Sequence, residues 1–205
     1  SFFFAGIFLQ KNVFNNSAIL YEFCRYIDDI ADKNNKNKEV KLKNIVNNII
    51  NSSNIYKLKD INLMIRNKTI KKKYLLQLIN GVTKDTKKKV IIKDEKDLIL
   101  YSYLVAGTVG LMMSNILEVK EKIALKYALD LGIALQLTNI TRDILEDANM
   151  NRVYIPTTWY KFKASDIRIQ KKKNQIKLKI STVKLLNISE KYYKSAIKGL
   201  AFLTL

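Results

Sequence analysis

The chain has 205 residues, almost half of them hydrophobic, with one proline and six glycines, which suits a single domain with a sizeable helical core and argues against a β-rich fold. It has no histidine and one cysteine, Cys24, which excludes Ser-His and Cys-His catalysis, histidine-bound zinc, multi-cysteine metal sites and an internal disulfide. The formal charge of +19 rests mainly on lysine, since arginine occurs only as Arg25, Arg66, Arg142, Arg152 and Arg168.

Hydrophobic periodicity predicts helices over about 14–33, 38–51, 59–66, 69–80, 94–116, 119–148 and 176–203. Asn34-Asn35-Lys36-Asn37 and Asn51-Ser52-Ser53-Asn54 read as loops by turn chemistry. A Lys-rich connection runs from Lys84-Asp85 to Lys93. A longer excursion over 149–175 holds Arg152, Tyr154, Pro156 and Trp159. The segment 98–117 is apolar enough to raise the question of a membrane span. Its Tyr101, Ser102, Tyr103, Thr108, Ser114 and Asn115, with Gly107 and Gly110, fit a buried central helix better.

The first and sixth predicted helices carry acidic clusters. On the first, Tyr21, Arg25, Asp28 and Asp32 follow steps of four, three and four. On the sixth, Gln136, Asn139, Asp143 and Asp147 follow three, four and four. Carboxylates four apart share one helix face a turn apart, where like charges repel. A polar line through a largely apolar helix is costly unless it is paired, coordinated or facing a wet cavity. Two such pairs read as two walls of one metal-and-phosphate site, against the alternative of solvated surface carboxylates.

The basic runs at 71–73, 87–89 and 171–173 lie near predicted helix ends. No zinc-finger spacing or RNA-binding aromatic motif accompanies them, so a nucleic-acid partner is not expected. The lysines read as a solvated surface, with contact to anionic lipid as a second use. Cys24 reads as a small core residue.

The motifs then point to a family. Cys24-Arg25-x-x-Asp28-Asp29-x-x-Asp32 resembles the first aspartate-rich motif of the squalene and phytoene synthases. Tyr101-x-Tyr103-x-Val105-Ala106-Gly107-Thr108-Val109-Gly110 resembles their central helix. Gln136 through Asp147, followed by Arg152-Val153-Tyr154-Ile155-Pro156, resembles their second aspartate-rich motif and trailing loop. Ser1-Phe2 is similar to the family's N-terminal Ser-Phe, and Gly81 with Asp85 gives a weaker Gly-x-x-x-Asp match.

The resemblance implies an all-α isoprenoid-synthase bundle around a central cavity, in one domain over 1–205. It implies head-to-head condensation of two allylic prenyl diphosphates, geranylgeranyl or farnesyl, to phytoene or dehydrosqualene. Mg²⁺, or Mn²⁺ in its place, would be held by Asp28, Asp32, Asn139, Asp143 and Asp147. Catalysis would fall to the four aspartates and Tyr101. Phe2, Tyr21, Arg25, Val105, Val109, Gly110, Gln136, Asn139, Arg142, Arg152 and Tyr154 would bind substrate, with Tyr154 donating to a phosphate oxygen. NADPH enters only for a squalene synthase, and a non-catalytic assembly factor on the same fold is a further alternative. A monomer in the cytoplasm, peripheral to the inner membrane surface, is the expected setting. Because the family's chains usually continue into further helices, the resemblance implies a reduced or incomplete member.

Overall fold

The structure, a computed structural model, describes residues 9–32, 37–51, 58–169 and 172–203. Phe2 and the predicted loop residues 34–36 and 52–54 lie outside them. Helix α1 (Lys11–Asp32) buries Leu20, Phe23, Ile27 and Ala31, a stripe at steps of three and four. Three more helices, α2 (Lys38–Ile50), α3 (Lys59–Arg66) and α4 (Lys72–Lys84), close around that stripe with Leu42, Ile45, Ile49, Ile61, Met64, Leu75 and Ile79.

A central rod follows: α5 (Glu95–Ser102), a π-helical turn (Tyr103–Gly107) and α6 (Thr108–Ile116). Its start is well specified. Asp94 accepts from the Asp97 backbone N–H at 2.9 Å, and Asp97 accepts from the Lys93 N–H at 3.0 Å, satisfying donors that the first turn leaves open. By length and composition the rod could cross a membrane, yet half of its most apolar window is buried against the rest of the protein, as in a core helix.

Helix α7 (Lys122–Arg142) crosses the rod at close range. A Cβ on Gly110 would lie 2.2 Å from the Ala128 carbonyl oxygen, and one on Gly132 would lie 2.3 Å from that of Ala106. Two short helices, α8 (Ile144–Asn149) and α9 (Ala164–Arg168), then lead to α10 (Lys172–Ala196) and a 3₁₀ turn (Ile197–Phe202). Between α7 and α10, Ser189 donates to the Ala134 carbonyl at 3.0 Å and Ser195 donates to the buried Asp130 at 2.5 Å. Among the described residues there is no strand.

Several boundaries differ from the periodicity. The fourth helix continues past residue 80 to Lys84 because Gly81 packs against Leu104 and Val105 instead of ending the helix. The sixth predicted helix is divided at Asp143, which closes α7 and opens α8 with φ −101° and ψ 16°. Bonds from Asp143 N–H to the Asn139 carbonyl (2.9 Å) and from Asp147 N–H to the Asp143 carbonyl (2.8 Å) span the break, so the two aspartates stay one turn apart. The excursion contains α9, which no periodic pattern announces, and α10 begins earlier than expected, at Lys172.

Candidate active site

Three helices end in left-handed caps, at Lys68, Glu118 and Asn151. The third builds the site. Asn151, with φ 60°, reverses the chain so that the Arg152 N–H bonds back to the Asp147 carbonyl at 2.9 Å and the Asn151 N–H to that of Ala148 at 3.1 Å. This turn carries Arg152 and Tyr154 back under α8 and onto the acidic ends of α1 and α7.

A polar cavity of about 480 Å³ opens there. It collects Arg25, Asp28 and Asp32 from α1, Asp85 from the end of α4, and Tyr101 and Val105 from the rod. It also collects Gln136, Asn139, Arg142, Asp143, Glu146 and Asp147 from α7–α8, with Arg152 and Tyr154. Residues up to 129 positions apart in sequence (Arg25 and Tyr154) therefore share one chamber. Tyr21 does not line it; one turn back along α1, it lines an apolar cavity instead. Tyr21 keeps to the same face as Arg25, Asp28 and Asp32, but it stands a turn nearer the start of α1, where the wall is apolar.

The aspartates of the two walls differ in how readily they ionise. Burial and then the neighbouring Asp32 push Asp28 up to about 6. Burial, with Asp143 and Asp85 adding, pushes Asp147 up to about 7 against the pull of Arg152. Asp143 is instead held below the usual carboxylate range by Arg142, which donates two bonds of 2.7 Å to it. Arg152, only 7% exposed, donates to Asp32 at 2.7 Å, to the Ala31 carbonyl at 3.1 Å and to the Asp85 carbonyl at 3.2 Å. Arg25 pairs with Asp29 at 3.8 Å on the exposed side of α1. Among the described residues no three carboxylates converge on a ready-made metal cage.

Asp85 is the residue that sequence reasoning underweighted. Its carboxylate accepts from the Tyr101 hydroxyl at 2.7 Å and the Tyr154 hydroxyl at 2.8 Å, and the two rings stack at 4.9 Å. Burial raises its pKa, and the two phenols and Arg152 oppose that rise. The weak Gly81-x-x-x-Asp85 match was the only signal for it. The Tyr154 hydroxyl, expected on a phosphate, is committed to this carboxylate. Tyr154→Phe should remove one bond to a buried charge, costing about 1.5–3 kcal/mol, and should raise the Asp85 pKa further. Chemical denaturation and NMR titration of the Asp85 carboxyl carbon check the two effects; an unmoved titration would rule out the Tyr154–Asp85 bond as a control on that carboxylate.

The apolar cavity, about 680 Å³, lies beside the polar one. Tyr21, Cys24, Val105, Val109, Gly110, Met113, Leu131 and Leu135 line it, together with Leu200 and Leu203 near the end of the described chain. Val105, Gln136 and Asn139 line both cavities and form their common wall. The close approach of Gly110, on the rod, to α7 and of Gly132, on α7, to the rod fixes the distance across this chamber. Burial and the nearby Asp28 push the Cys24 thiol up to about 12, so it is a neutral wall residue.

An all-helical bundle with an acidic, arginine-bearing chamber opening onto an apolar one defines the isoprenoid-synthase architecture. Residues 1–204 match the squalene/phytoene synthase family, and the chain belongs to that family. It is 42% identical over 110 residues to a 15-cis-phytoene synthase of Pantoea ananas, over 53% of this chain and 36% of that protein. It is 33% identical over 144 residues to a presqualene diphosphate synthase of Rhodopseudomonas palustris, over 67% of this chain and 51% of that protein. These matches span between a third and a half of the length of those relatives. A crystal structure of a dehydrosqualene synthase with ligand superposes with a TM-score of 0.81 at 26% identity, over all of this chain and 73% of that one. A squalene synthase of Alicyclobacillus acidocaldarius gives 0.81 at 17% identity, over 97% and 77%, a likeness of fold.

Proposed function

We propose that the chain carries the reaction chamber of a head-to-head prenyltransferase that joins two allylic prenyl diphosphates through a cyclopropylcarbinyl diphosphate. The observation that carries this reading is the common wall of Val105, Gln136 and Asn139. It sets a diphosphate-compatible chamber directly against an apolar one that is of ligand size. Family membership and the phytoene and presqualene diphosphate synthases among its relatives support it.

The donor set fits a divalent cation that arrives with a diphosphate. All donors are oxygens, two carboxylates are raised by burial and by neighbouring carboxylates, and Mg²⁺ commonly takes one or two carboxylates with substrate phosphates and water. Bound by Asp28, Asp32, Asn139, Asp143 and Asp147, Mg²⁺ or Mn²⁺ would neutralise charge on the leaving diphosphate. The protein's part begins with Arg25 and Arg142, which line the chamber and are exposed enough to reach a phosphate. Arg152 fixes Asp32, and Asp85 fixes Tyr101 beside the site of C–O cleavage. The allylic cation then passes to a chamber walled by Val105, Val109 and Leu135, where little water can quench it. Loss of a proton from the rearranged intermediate gives phytoene or dehydrosqualene; hydride from NADPH gives squalene.

Incubation with geranylgeranyl or farnesyl diphosphate and Mg²⁺, with and without NADPH, and identification of the hydrocarbon tests the reading. Absence of any condensation by a full-length form would overturn it and favour an assembly factor on this fold. A pH effect accompanies it. Asp28 and Asp147 hold protons to about 6 and about 7, so protons compete with a cation below neutrality. Affinity for Mg²⁺ with a non-hydrolysable diphosphate should rise from pH 5.5 to 7.5 and level off above, as read by calorimetry. A flat profile would exclude these two carboxylates as ligands.

A further inference from the structure

The segment 151–155 has two sides. Arg152 and Tyr154 line the polar chamber, whereas Asn151, Val153 and Ile155 line a separate cavity of about 550 Å³. Val90, Ile155 and Phe162 are its buried apolar floor. Lys88, Lys89, Lys161 and Lys163, all exposed, stand around it with Arg168, and among the described residues no aspartate or glutamate lines it. None of the four lysines forms an ion pair among the described residues. Arg168 donates to the Ala148 carbonyl at 2.7 Å and to Asn151 Oδ1 at 2.8 Å. These neutral partners hold its guanidinium in place and leave its charge uncancelled. Ile91, which lines the cavity, is 53% exposed, and Ile169, the residue after the lining Arg168, is 68% exposed.

We propose that this face docks on a bilayer of anionic phospholipid. Five cations around an apolar floor complement headgroup phosphates above acyl chains. Ile91 and Ile169 would enter the acyl boundary, and the floor of Val90, Ile155 and Phe162 would take the upper part of one chain. A free phosphate gains nothing from the apolar floor or the protruding isoleucines. A nucleic acid would be served by the lysines alone. The proposal is independent of the reaction assigned to the polar chamber.

Flotation with vesicles of phosphatidylcholine, with and without one quarter phosphatidylglycerol, tests it at physiological salt. Binding is expected only to the anionic vesicles. Lys88→Glu with Lys89→Glu, Lys161→Glu and Lys163→Glu should weaken it at least about tenfold. Reversing the exposed Lys41, Lys43, Lys71 and Lys73 makes the same change in net charge and should alter binding less than about threefold. Ile91→Asp with Ile169→Asp should weaken binding about fivefold or more with all lysines intact. Circular dichroism on each variant identifies any loss of fold. Equal losses from the two lysine sets would overturn the proposal as bulk charge. Insensitivity to the isoleucines would reduce the face to a site for free phosphate. Absence of vesicle binding, or tighter capture of duplex DNA than of vesicles, would also overturn it.

Discussion

Asp28→Asn is expected to lower turnover by at least about 100-fold while raising the melting temperature of the metal-free protein. The two effects have one origin. The fold favours the protonated form of Asp28, whose pKa rises from 3.8 to about 6 through burial and the charge of Asp32. Its penalty is absent below about pH 4, builds through pH 6 and is complete at neutral pH. Removing the charge should therefore stabilise the metal-free protein by about 1–3 kcal/mol near pH 7.5, or several degrees in Tm for a chain of this size. That gain should vanish at pH 4. Asp143→Asn gives the contrast. Its carboxylate already rests on Arg142, so the metal-free Tm should barely move, yet turnover should fall as far. Calorimetry over pH 4–8, beside product formation, separates the roles. Full activity in either variant would remove the carboxylate walls from the chemistry.

Gly132→Ala should be severely damaging, as Gly110→Ala should be at the same crossing. The added carbon would sit 2.3 Å from the Ala106 carbonyl oxygen and 2.7 Å from its carbon, and backbone cannot swing aside as a side chain can. The α7 helix must instead back away from the rod, at a cost of about 3 kcal/mol or more. That predicts a fall of about 6–12 °C in Tm. Gly199→Ala is the internal control. Its new Cβ would meet the Tyr127 Cβ at 2.8 Å, a milder overlap than 2.3 Å, and it sits on the short 3₁₀ turn rather than between two long helices, so a smaller loss is expected. Comparable thermal scans for the two variants would show that the close crossing is not what holds the chamber.

The acidic walls were legible because their spacing is local. Asp28 and Asp32 lie one turn apart, and the short bonds across Asp143 preserve the same spacing to Asp147. Val105, Val109 and Gly110 were legible through motif resemblance, and they do line the apolar cavity. Asp85 was not, because its partners Tyr101 and Tyr154 stand 16 and 69 positions away and its own neighbourhood is a run of lysines. Gly132 sits in an otherwise unremarked helical pattern, and only the approach of the rod gives it a reason. Tyr21 shows the limit of extrapolating a helical face: the stripe keeps its direction, but a turn further along the axis it meets the apolar cavity instead of the polar one.

The π-helical turn at Tyr103–Gly107 has a consequence for how one helix serves two interiors. Before it, Leu98 and Tyr101 are buried with Ile133, Leu137 and Tyr154. After it, Leu111, Met112 and Ile116 are buried with α1 and α4. A straight α-helix keeps one apolar meridian along its length. The wider turn holds about one residue more, so the meridian advances by about 100° between the halves. The rod thus works as a phase shifter between two separately packed halves of the bundle. Val105 falls within the shift itself, which is why a single valine can border the polar chamber and the apolar one together.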